Sequence, residues 1–119
     1  MDSKELQSVF KVGTEKQEVL FKSYVSLLSV EISKIASSID REMNKYYTIK
    51  AAAYPDIKIP NDTIMNRIKD HFAKLSDTPD SIFSLRVSRG ADDELFRFRF
   101  LTPEEARREE QYNNNVWER

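Results

Sequence analysis

Arg86, Arg89, Arg97 and Arg99 crowd into one short stretch of the chain. A guanidinium fork matches phosphate or carboxylate geometry, so these four are the candidate anion- or partner-binding residues. Phosphate contacts made by them would weaken as salt rises. The plainer reading is internal neutralisation, because Glu104, Glu105, Glu109 and Glu110 follow directly and could be laid over the arginines by a helix. Asp92, Asp93 and Glu94 form an acidic cluster beside them, and carboxylates this close could hold Ca²⁺ or Mg²⁺. Their spacing lacks the alternating ligands and central glycine of a calcium loop, whereas aspartate is common in turns for backbone reasons. A turn is the expectation, with no metal. His71 is the only histidine. A catalytic histidine needs a positioned partner and a metal site needs several ligands. Asp70 is adjacent in sequence and points elsewhere on a helix, so His71 reads as a peripheral structural residue.

The absence of cysteine removes disulfides, thiolate metal sites and cysteine nucleophiles. With only Gly13 and Gly90, the chain cannot build a phosphate-cradling loop, a dinucleotide fingerprint or a nucleophile elbow. No enzymatic activity and no cofactor are expected. At 119 residues the chain has the size of one ordinary domain, and its net charge of −1 provides no overall field toward nucleic acid or an anionic membrane. No signal peptide or apolar run long enough to span a membrane is visible, which points to a soluble cytoplasmic protein.

The arginines sit on two strand-like runs, residues 81–89 and 94–101, joined through Gly90. Phe83, Leu85 and Val87 alternate with Ser84, Arg86 and Ser88; Phe96, Phe98 and Phe100 alternate with Arg97 and Arg99. Period two predicts a hairpin with one aromatic and aliphatic face and one arginine face. The first face needs a roof. Asn61 or Asp62 can cap a helix over 62–75 with the stripe Ile64, Ile68, Phe72 and Leu75, which fits that purpose. Thr102-Pro103-Glu104-Glu105 carries an N-cap threonine, a proline at the first helical position and a capping-box glutamate, so a charged third helix follows, ending near residues 113–115. Val116 and Trp117 are expected to pin the tail.

Upstream, Thr14-Glu15-Lys16-Gln17 reads as a capping box. Leu20, Tyr24, Leu27, Leu28, Ile32, Ile35, Ile39, Met43 and Tyr46 then recur at steps of three and four, predicting one helix from about 15 to about 46. Residues 1–13 read as a mobile arm closed by Gly13, or as an arm that docks on another subunit through Phe10; residues 14–119 form a single domain. Residues 46–53 are ambiguous between helix and strand, and Ile57 and Ile59 suggest a short strand closed by Pro60. The order is long helix, short strand, helix, antiparallel hairpin, short charged helix, an α+β fold.

Ser23, Ser26, Ser29, Ser33 and Ser37 form a small-residue row on the long helix, and Val25 and Val30 widen its apolar surface. Val25, Ser26, Ser29, Val30, Ser33 and Ser37 are the candidate helix interface, against the plain reading of a solvated face. A helix of some thirty residues spans about 45 Å, more than a compact domain of this size needs. The leading expectation is therefore a non-enzymatic protein–protein interaction or assembly module that self-associates through this helix. Its size would also suit a phage or mobile-element accessory protein binding a host factor. The alternative is a winged-helix nucleic-acid module, with Asn66, Arg67 and Lys69 on the reading helix and Arg89 on the wing. A near-neutral chain without a recognised binding motif disfavours it.

Overall fold

In the computed structural model, which describes residues 1–117 and side chains through residue 112, the first helix begins almost at the chain start. Asp2 accepts a hydrogen bond from the Glu5 N–H at 2.8 Å, and α1 runs over Ser3–Ala36, 34 residues. Both expected ends of this helix are corrected. Gly13 does not close an arm: its φ is not positive, and the helix passes through it at a cost of about 0.5–1 kcal/mol relative to alanine. Thr14 caps nothing, since its hydroxyl donates to the Phe10 carbonyl one turn back. At the other end the helix stops at Ala36, leaving Ile39, Met43 and Tyr46 in a connection. There Ser38 Oγ accepts from the Asp40 N–H at 3.1 Å, and Arg41 donates to the Ala36 carbonyl at 2.9 Å. Such local bonds compete with helix continuation. Asn44, at φ 56, turns the chain and donates its N–H to Phe100 O at 2.6 Å.

That turn delivers β1 (Tyr47–Lys50) to the edge of β3 (Glu94–Leu101), whose other edge pairs with β2 (Ser84–Arg89). The sheet is antiparallel with order β1-β3-β2. Tyr47 and Ile49 stand opposite Phe98 and Phe96, while Leu85 and Val87 stand opposite Phe100 and Phe98. Aliphatic and aromatic side chains thus flank the phenylalanine row of β3 on both sides. Residues 46–53 resolve into this strand followed by a 3-10 turn at Ala51–Ala53. The strand expected around Ile57 and Ile59 does not form. Its carbonyls serve side chains: Lys58 O accepts from the Tyr24 hydroxyl at 2.5 Å and Pro60 O from Arg89 at 2.8 Å.

Two helices roof the sheet. α2 (Asp62–Ser76), capped by Asn61 Oδ1 on the Ile64 N–H, buries Ile64, Met65, Ile68 and Phe72. α1 adds Tyr24, Leu28 and Ile32, with the Tyr24 ring edge-on to Phe96. Each such side chain contributes roughly 1.5–3 kcal/mol on burial. Phe83 is only half-buried; Leu85, Val87, Phe96, Phe98 and Phe100 are interior. Ser76 ties the end of α2 to β2 by accepting the Leu85 N–H at 2.8 Å. α3 (Pro103–Trp117) starts with the expected reciprocal cap, Thr102 N–H to Glu105 and Glu105 N–H to Thr102. The Val116 and Trp117 side chains lie outside the described residues. Among those residues no helix is long and apolar enough to cross a membrane.

Candidate functional site

The arginine face exists as the alternation requires. Arg86 stands opposite Arg99, and Arg97 opposite Ser88, on the sheet surface away from α1 and α2. Each guanidinium is already engaged. Arg86 bonds both oxygens of Asp77, at 3.2 and 2.9 Å, and reaches Glu110 at 3.4 Å. Arg99 meets Glu109 at 2.6 Å and Asn44 at 2.9 Å, and lies over the Tyr46 ring. Arg97 forms a two-pronged pair with Glu94, both bonds 2.9 Å. α3 therefore supplies Glu109 and Glu110 to this face, while Glu104 pairs with Arg108 on its own helix. Arg89 falls on the other side of the sheet, opposite Phe96, and bonds Pro60 O and Asp62. The electrostatics agree. Burial pushes the Asp77 carboxyl up, but hydrogen bonds from Arg86, Ser84 and Ser76 outweigh it and hold Asp77 below its ordinary value. The Arg97 fork likewise lowers Glu94.

The remaining chemical candidates are dispersed in the same way. Asp92 takes φ 47 in the turn, Asp93 faces Lys50 and Glu94 faces Arg97, so the three carboxylates serve separate ends. His71 is wedged edge-on between Phe21 and Phe72. Arg67, a residue of the supposed reading helix, pairs with Glu18 at 2.9 Å and covers the Phe21 ring. A polar cleft of about 390 Å³ opens between α3 and the start of β2, with Arg86 and its two carboxylate partners in its wall.

What stands unpartnered is the first half of α1. The stripe that buries Tyr24, Leu28 and Ile32 continues toward the N-terminus as Leu20, Gly13, Phe10 and Leu6, beyond the reach of α2 and the sheet. Leu6 is 58 % exposed and Phe10 76 %, and Val9, Val12 and Val19 lie exposed alongside. The opposite side carries Lys4, Gln7, Ser8 and Lys11. This half of the helix is thus amphipathic, and among the described residues none covers its apolar side. The projection is visible in the overall dimensions: the radius of gyration is 17.2 Å, against about 13.5 Å for a compact domain of this length. The sequence signal lies in the steps Leu6, Phe10, Gly13, Gln17 and Leu20, but the glycine, a common helix stop, conceals it.

The residues of the expected helix interface are placed differently. Ser26, Ser29, Val30, Ser33 and Ser37 line the exposed back of α1, whereas Val25 packs partly against the core. Ser37 donates its hydroxyl to the Ser33 carbonyl at 2.8 Å, so part of the serine row is satisfied within the helix. At the other end of α1, Met43 and the exposed Ile82 border a small apolar pocket of about 80 Å³ beside Phe83 and Phe100. No family model, curated protein or solved structure matches this chain.

Proposed function

We propose that this chain is a small non-enzymatic protein–protein interaction module that self-associates through α1. The observation that carries the reading is one continuous helical stripe with two fates: Tyr24, Leu28 and Ile32 are interior, whereas Leu6, Phe10 and Leu20 face water. A helix of about four turns without tertiary cover is marginal in water, so a projecting amphipathic half gains most from a partner that covers it. Six exposed apolar side chains per copy, at roughly 60–120 Å² each, amount to on the order of 1,000 Å² in a pair, the threshold of a specific interface. A second copy brings the same apolar complement to the contact. The arginine face lends less support to a nucleic-acid role, because Arg86, Arg89, Arg97, Arg99 and Arg67 each hold a carboxylate.

The test is light scattering on the eluting peak of the full chain. The expected mass is that of a multiple of 14.0 kDa at high micromolar concentration, with Phe10→Asp returning the monomer. A wild-type chain that stays monomeric throughout overturns the reading.

A further inference from the structure

Resting on that reading, we infer that two copies pair antiparallel through residues 3–20, about a two-fold axis near residue 11, so that Glu5 of each copy meets Lys16 of the other and Phe10 of each packs over Gly13 of the other. Three features of the projecting half converge on this arrangement.

The first is charge. Glu5 and Lys16 are eleven residues apart, close to three full turns, so both flank the apolar stripe on the same side, with Val9 and Val12 between them. Acid, apolar, apolar, base at steps of four, three and four reads as its own complement when the helix is turned end for end. In an antiparallel pair the same flanks adjoin, so Glu5 lies beside Lys16 of the second copy twice over, and Val9 beside Val12. A parallel pair instead brings opposite flanks together, so the Glu5 and Lys16 flanks of the two copies lie on opposite sides of the seam and neither residue meets its complement. Among the described residues neither side chain has an ion-pair partner in its own chain, although Glu18, next along the helix, pairs with Arg67.

The second feature is size. Gly13 sits in mid-helix without a positive φ, and a Cβ there would meet nothing within 4 Å. The isolated fold gives no reason for glycine at this point, where alanine is the better helix former. In the proposed overlap Gly13 falls within one residue's rise of Phe10 of the second copy, and the missing side chain leaves room for the ring. The third is access. The folded body begins where Arg67 of α2 takes Glu18, which in this overlap lies opposite residue 4 of the second copy. The two bodies then sit at opposite ends of the helix pair, clear of each other.

Sedimentation equilibrium of the full chain at about 0.15 M salt tests the arrangement. Glu5→Lys alone and Lys16→Glu alone should each weaken the dimer by about tenfold or more, since two attractive pairs become repulsive. The double variant, and an equimolar mixture of the two single variants, should recover wild-type affinity. Gly13→Leu should raise monomer helicity at 222 nm and still weaken association, which separates a packing role from a folding defect. A dimer indifferent to both single charge reversals overturns the antiparallel register while self-association stands; so does a dimer unaffected by Gly13→Leu. A strict monomer overturns both this inference and the reading beneath it.

Discussion

Arg86 and Arg99 stand directly opposite each other across β2 and β3, two like charges in one cross-strand pair. Like charges so placed are destabilising unless neutralised. Asp77 supplies a two-pronged partner for Arg86, and Glu109 a single close contact at 2.6 Å for Arg99. Asp77→Asn should therefore cost about 1–2 kcal/mol in urea denaturation near pH 7, the range of a charge-assisted bond reduced for partial exposure. The sign with pH follows from the lowered Asp77 pKa. Its contribution is present above the unfolded carboxyl value of about 3.9 and fades as pH falls through the folded value. The gap between wild type and variant should hold from pH 7 to 5 and close toward pH 3. A gap that widens in acid contradicts the assignment.

The two glycines should respond oppositely to alanine. A Cβ on Gly90 would lie 2.6 Å from Glu94 Cβ and 2.7 Å from the Glu94 carbonyl, so the hairpin turn must shift to admit it. Gly90→Ala is expected to lower global stability by about 1–3 kcal/mol. Gly13→Ala meets no atom within 4 Å and removes a flexible residue from a helix, so it should add about 0.5–1 kcal/mol of local helix stability. Far-UV dichroism of both variants at dilute concentration, with thermal melts, compares the pair.

The same contrast holds for two threonine signals that look alike in sequence. Thr102 caps α3, exchanging bonds with Glu105 at 2.9 and 3.1 Å. Thr14 lies inside α1 and bonds back to Phe10. Thr102→Ala should cost about 1 kcal/mol, and Thr14→Ala should stay within about 0.5 kcal/mol of wild type. Equal effects on chemical denaturation would mean that one of the two helix starts is misplaced.

These pairs also mark what was legible beforehand. The alternation through Phe96, Phe98 and Phe100 located β3 because a half-buried strand must repeat every two residues. Asn61 and Thr102 located α2 and α3 because a helix start leaves N–H groups that need an acceptor. The ends of α1 were not legible. A glycine stops a helix only when the chain beyond it gains by turning, and at Gly13 it does not. The stripe through Ile39 and Met43 keeps helical spacing, yet the chain leaves the helix there to deliver Tyr47 and Ile49 to the edge of β3, a tertiary gain invisible to local periodicity. Ile57 and Ile59 failed as a strand for a similar reason: the neighbouring carbonyls of Lys58 and Pro60 accept from Tyr24 and Arg89, residues distant in sequence. For the candidate surface, the arginines were legible as a face but not as occupied, since occupancy depended on Asp77 and on the placement of α3.

Because α1 has one covalent structure and two environments, its local stability should change along its length. Backbone opening near Tyr24, Leu28 and Ile32 breaks the core, so amides of residues 24–36 should exchange only near the global unfolding free energy. Residues 3–16 are exposed apart from a half-exposed Gly13, and a helix segment this short is marginal alone. At low micromolar concentration their amides should exchange at least about a hundredfold faster than those of residues 24–36, with intermediate values around Glu18, where Arg67 adds its bond. Raising the concentration should slow exchange selectively in residues 3–20, because association covers that half and leaves the core as it was. Phe10→Asp should abolish the concentration dependence without changing protection at Leu28 or Ile32. Uniform protection from Ser3 to Ala36 in the dilute chain would mean that the first half of α1 is held by contacts other than those in this fold. A concentration effect spread evenly over α2 and the sheet would place the interface elsewhere on the molecule.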